Sequence, residues 1–179
     1  MDKPQVADTS EWMRSVVANY EGPLVRYAAR ITGDVHRARD VVQDTFLRLC
    51  EQDRHSLDGH LAEWLYTVCR RRALDVQRKE HRMRATLPEE LVSATSHLSQ
   101  GTVECQESHE AVRVAISQLP DNQQEVMRLK FQSGLSYREI AGVTGLSVSN
   151  VGYLLHVALK KVREQCVDKP VERSAETSD

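Results

Sequence analysis

Between Arg70 and Arg84 the chain places Arg70, Arg71, Arg72, Arg78, Lys79, Arg82 and Arg84, opposed only by Asp75 and Glu80. Cations at that density hold phosphates, in a binding mode that is sequence-independent and salt-sensitive. A second stretch, "LSYREIAGVTGLSVSNVGYLLHVALKK" from Leu135 to Lys161, offers different chemistry. In its second half the outward hydrogen-bonding groups are Ser147, Ser149, Asn150, Tyr153 and His156. Asparagine pairs bidentately with adenine, and serine or tyrosine reaches bases or phosphates. Lys160, Lys161 and Arg163 follow; they suit phosphates, or equally a solvated helix end, where cations favour the helix dipole. Yet the middle of this stretch, Val151-Gly152-Tyr153-Leu154-Leu155-His156-Val157, is apolar for a helix that enters DNA.

Catalytic chemistry finds less support. His55, His60, Asp58 and Glu63 could serve a metal hydrolase, but the histidines straddle Gly59 without helical ligand spacing and lack a matching third ligand. Cys50, Cys69, Cys105 and Cys166 form no C-x-x-C pair, which argues for reduced thiols rather than zinc. No catalytic residue, metal or cofactor is expected.

These groups need helices to position them. Ser10 to Ile31 reads as helix with a break at Gly22-Pro23, since proline suits a first turn. Asp34 caps a second helix to Cys50, whose Val41, Val42, Thr45, Phe46 and Leu49 share a face. A polar loop, "EQDRHSLDGH", precedes a long helix from Leu61 to Arg84 with Trp64, Leu65, Val68, Ala73, Leu74 and Val76 as its core. After Arg84 the chain turns polar: Ala85 to Glu110 holds five Glu and no Lys or Arg, the composition of a flexible linker. Four further helices begin near His109. Ser136 and Glu139 make a capping box, Gly145 suits a left-handed turn, and Ser147 opens the last helix. Ala141 is small enough for a close crossing, and Ile140, Leu146 and Val151 are apolar anchors. Together these are the requirements of a helix-turn-helix.

The bulk numbers agree. The chain has 179 residues, 28% charged and 5% aromatic, too few rings for a large aromatic core. Its net charge of −2 conceals the basic and acidic blocks, so it says little about partners. No apolar run is long enough to span a bilayer, so no membrane insertion is expected. With no signal peptide, a cytoplasmic location is expected.

Two blocks resemble the extracytoplasmic-function (ECF) subfamily of the sigma-70 family of bacterial RNA polymerase sigma factors. "LPDNQQEVMRLKFQSGLSYREIAGVTGLSVSNVGYLLHVALKKVRE" resembles the family's C-terminal domain, and "ARDVVQDTFLRL" with "AEWLYTVCRRRALDVQRKEHR" its N-terminal domain, in the same order. The resemblance implies an all-α fold of two small helical domains joined by a flexible linker. These are a sigma region 2-like domain (1–86), a linker (87–108), a sigma region 4-like helix-turn-helix domain (109–166) and a disordered tail (167–179). It implies that Asp40, Gln43, Asp44, Phe46 and Leu47 dock on the β′ clamp helices of core RNA polymerase, with the β flap as a further contact. Arg70, Arg71, Arg72, Asp75, Arg78 and Lys79 would melt and hold the −10 element, near Trp64 and Tyr66, with Arg54 and His55 in the loop that shapes the base pocket. Ser147, Ser149, Asn150, Tyr153, His156, Lys160 and Lys161 would meet the −35 duplex.

Three departures stand out. Arg39 replaces a usual acid, and Arg71 a usual asparagine. Gly152, Tyr153, Leu154 and Val157 stand where basic or polar residues are common, so −35 binding is expected to lean less on charge. Alternatively, Tyr153-Leu154 forms an apolar patch for a partner such as an anti-sigma factor. The competing class is a stand-alone operator-binding regulator, which would not need the basic helix. Promoter, stimulus and regulator are not written in the sequence.

Overall fold

The computed structural model describes residues 4–85 and 106–167, which form seven α-helices and one short 3₁₀ turn. Helix α1 spans Pro4–Thr32 and runs unbroken through Pro23, where the sequence suggested a break. An interior proline costs a helix about 3 kcal/mol. Val16, Leu24, Tyr27 and Ala28 lie buried along one stripe of this helix, and that packing outweighs the lost hydrogen bond.

Helix α2, Val35–Cys50, begins as its sequence suggested: Asp34 is extended and its carboxylate accepts the Arg37 N–H at 2.8 Å. This bond holds the Asp34 carboxyl below its ordinary range. Ala38, Val41, Val42, Thr45 and Leu49 are buried on one face, and Phe46 packs half-buried beside them. The following polar segment is more ordered than its composition indicates. Arg54–Leu57 forms the 3₁₀ turn, Asp53 caps it through the His55 N–H, and Leu57 inserts into the core. Helix α3, Leu61–Ala85, buries Leu65, Tyr66, Cys69 and Ala73, while Trp64, Val68, Leu74 and Val76 are only half-buried. Burial pushes the Cys69 thiol up to about 12, so it stays neutral.

In the second half, α4 spans Gln106–Ser117, α5 Asp121–Phe131, α6 Tyr137–Thr144 and α7 Val148–Val167. Helix α4 therefore begins three residues before the expected boundary at residue 109. Most of the expected linker, and all but the first residue of the expected tail, lie outside the described residues.

Helices α1, α2 and α3 pack together as one unit, and α4, α5 and α6 pack around α7 as another. The two units also meet, with α3 lying on α6. Tyr27, Leu65 and Tyr66 of the first unit and Leu119, Val126 and Ile140 of the second belong to one continuous apolar cluster.

Candidate nucleic-acid interface

The α6–α7 pair is built by local chemistry. The Ser136 hydroxyl accepts the Glu139 N–H at 3.3 Å, and the Glu139 carboxylate accepts the Ser136 N–H at 2.7 Å. This capping box satisfies two donors that the helix start would leave bare. Gly145 ends α6 with φ 75°, where a side chain would be strained. The Ser147 hydroxyl then accepts the Asn150 N–H at 3.2 Å and opens α7. The two helices cross at 104°, and Ile140 and Val151 are fully buried where they meet. That is helix-turn-helix geometry.

The crossing sorts the side chains of α7. Ser147, Ser149, Asn150, Tyr153, His156, Lys160 and Lys161 are all exposed along the outer face, with Tyr153 at 65% of its free surface. Val151, Leu154, Leu155 and Ala158 form the inner face. Leu154 retains only 6% exposure. The alternative reading of Tyr153-Leu154 as an apolar patch therefore fails, because Leu154 turns into the core while Tyr153 faces solvent. Leu154 is core, and Val157 is half-buried.

Sequence reasoning missed Tyr137. It opens α6, is 44% exposed, and carries the Lys130 ammonium 5.5 Å from its ring centroid. Its ring edge lies where Gly152 has no side chain; a Cβ there would stand 3.7 Å from Tyr137 Cε2. The only sequence signal was the glycine itself.

The basic helix is arranged differently. Arg71, Arg78 and Lys79 are exposed, although Arg78 lies 3.6 Å from Asp75, its neighbour one turn before. Arg72 pairs with Asp44 of α2. One residue expected to hold the −10 strand thus engages one expected to dock on polymerase. Arg70 pairs with Glu125 of α5, through Nε to Oε1 at 2.8 Å and Nη2 to Oε2 at 3.2 Å. Arg54 stacks 5.5 Å over the Trp12 ring, while His55 is open to solvent 3.8 Å from Asp58.

Tyr66 does not stand ready to support an unstacked base. It is 1% exposed and meets the Tyr27 ring edge-on at 5.3 Å between centroids. Its position faces α1 and the second unit, which the linear sequence could not reveal. Along α2, Asp40, Gln43 and Leu47 are exposed, Leu47 at 65%, while Phe46 is anchored in the core.

Comparisons with known proteins agree with this architecture. Residues 16–83 match the family model of sigma-70 region 2, and residues 109–162 that of sigma-70 region 4. The ECF RNA polymerase sigma factor SigL of Mycobacterium tuberculosis is 30% identical over 156 residues, covering 84% of this chain and 86% of the relative. SigM of Bacillus subtilis, also an ECF RNA polymerase sigma factor, is 29% identical over 146 residues, covering 80% and 88%. Among solved structures, the sigma factor RpoE of Bartonella quintana, crystallised with the anti-sigma factor NepR, aligns with a TM-score of 0.64 at 23% identity. The alignment covers 91% of this chain and 99% of that one. The chain belongs to the ECF sigma factors of the sigma-70 family.

Proposed function

We propose that the chain directs core RNA polymerase to promoters by dividing two DNA tasks between its two units. The observation that carries this reading is an open recognition face on a helix-turn-helix joined, in one chain, to a helix dense in arginine. Asn150, Tyr153 and His156 read the −35 duplex, Ser147 and Ser149 flank them, and Lys160 and Lys161 meet phosphates. Tyr137 joins this surface beside Gly152. Arg70, Arg71, Arg72, Arg78 and Lys79 hold the melted −10 strand, with Arg54 and His55 at the base pocket and Asp75 orienting Arg78. Asp40, Gln43, Asp44, Phe46 and Leu47 form the polymerase-docking edge of α2.

Melting on this reading needs no bond cleavage. Binding of the single-stranded form offsets lost stacking, and the phosphodiester chemistry belongs to the polymerase, so the chain itself is not an enzyme. The units are joined by residues 86–105. The intervening segment reaches about 70 Å when fully extended, enough to let the two part. The site of action is the cytoplasm, where the polymerase works, and a separate protein such as an anti-sigma factor controls access. No single helix among the described residues is long and apolar enough to cross a membrane.

Run-off transcription with purified core polymerase and genomic fragments tests the reading. Promoter-specific transcripts appear only with the chain present, and the chain co-purifies with core. Binding to duplex DNA without association with core would refute it.

A further inference from the structure

The contact between the units converges on one carboxylate. Glu125, near the start of α5, receives the Arg70 guanidinium through two hydrogen bonds, at 2.8 and 3.2 Å, and the Tyr27 hydroxyl at 2.8 Å. Arg70 and Glu125 retain only 26% and 21% of their side-chain exposure, so the pair is largely withdrawn from water. Burial, and then Glu125, push the Tyr27 phenol up, so its proton stays in place as a donor. The contact is continued by Glu63 of α3, which lies across Gly142 of α6. A side-chain carbon at Gly142 would collide with the Glu63 carboxylate.

This arrangement has the form of a phosphate site. A guanidinium offering two parallel N–H groups to a pair of oxygens, with a hydroxyl donor at the side, grips carboxylate or phosphate alike. The residue supplying the guanidinium is the first of the basic run on α3. The anion filling the site belongs to the unit that carries the recognition helix. Meanwhile the recognition face of α7 and the Asp40, Gln43 and Leu47 edge of α2 remain exposed. The closed form therefore withdraws Arg70 and leaves the other two surfaces open.

We propose that Glu125 is an internal stand-in for a promoter phosphate, so that packing of the second unit on the first and capture of single-stranded DNA by Arg70 exclude one another. The inference rests on the reading of Arg70 as a contact to the melted strand. It implies an order: docking on polymerase precedes separation of the units, and only separation releases Arg70.

The test uses the full chain and three variants: Glu125→Gln, Tyr27→Phe and Arg70→Ala. Small-angle scattering reports compactness, and fluorescence anisotropy reports binding of a labelled single-stranded 12-mer of degenerate sequence. Glu125→Gln retains the packing shape but removes the charge. It should raise the radius of gyration and tighten oligonucleotide binding about fivefold. Tyr27→Phe removes one donor and should shift both readouts in the same direction by less. A more open Glu125→Gln chain that binds no tighter overturns the stand-in, and so does one that neither opens nor binds tighter. The underlying reading has its own readout. If the Glu125→Gln gain persists when Arg70→Ala is added, Arg70 is not the strand contact, and that assignment fails separately.

Discussion

The two helices proposed to meet DNA, α3 and α7, solve opposite problems. Helix α3 is rich in charge, yet the protein engages much of it internally: Arg70 with Glu125, Arg72 with Asp44, Arg78 with Asp75. Helix α7 is poor in charge, yet its polar outer face is held open and pre-shaped by two caps and a left-handed glycine. A duplex has a fixed shape and can be met by a rigid surface. A single strand appears only after melting, so groups that bind it can be occupied until then. Charge alone would rank α3 as the more available surface; accessibility reverses that order.

The largest test of this contrast lies within α7 itself. Leu154→Ala should cost the second unit about 2–4 kcal/mol in urea unfolding, because it empties a buried site. Its neighbour Tyr153→Ala should change stability by no more than about 0.5 kcal/mol but weaken −35 duplex binding about tenfold. Equal stability losses at the two positions would erase the division between inner and outer faces.

Next comes α3. Arg78→Ala should lower open-complex formation about tenfold in a reconstituted assay, with core binding unchanged. Arg72→Ala should lower open-complex formation and also shift core affinity, because it frees Asp44 on the proposed docking edge. If Arg72→Ala leaves core affinity untouched, Asp44 is not at the polymerase contact.

A smaller effect distinguishes the lysines of α7. Removing Lys160 and Lys161 together should flatten the salt dependence of −35 duplex affinity by close to two phosphate contacts, about 0.9 log unit of slope each. An unchanged slope returns them to the role of solvated helix-end charges.

The smallest effect separates the caps. Asp34 caps α2 with an ionisable group whose folded pKa lies below the ordinary 3.8. Its contribution is present above that pH and is lost as pH falls through the folded value. Asp34→Asn, a comparable cap without a charge, should make acid unfolding slightly less steep. Ser136, the cap of α6, has no such group, and Ser136→Ala should cost about 1 kcal/mol with the hydroxyl bond lost at every pH. An Asp34→Asn chain with an unaltered acid limb would show that the capping carboxylate is not linked to folding.

Much of the site was legible because it is local. The Asp34 cap, the Ser136–Glu139 box, the Gly145 turn and the exposed set Ser147, Ser149, Asn150, Tyr153 and His156 follow from residue type and short spacing. The errors arose where distant packing intervened. Pro23 sits in a continuous helix because the residues after it are buried. Leu154 is core although Tyr153 beside it is exposed, and Tyr66 lies against Tyr27 rather than beside the open arginines of α3. Tyr137 escaped notice because its relation to Gly152 spans two helices.

The sequence by itself determined the helices, their caps, the helix-turn-helix and the family, since these rest on interactions a few residues apart and on motif order. Only the tertiary structure decided which charges are free. Glu125 follows Arg70 by 55 positions and lies in the other unit. Nothing in their local patterns joins them; an ion pair across that distance exists only once α3 has packed beside α5 and α6 and water has been excluded from between them.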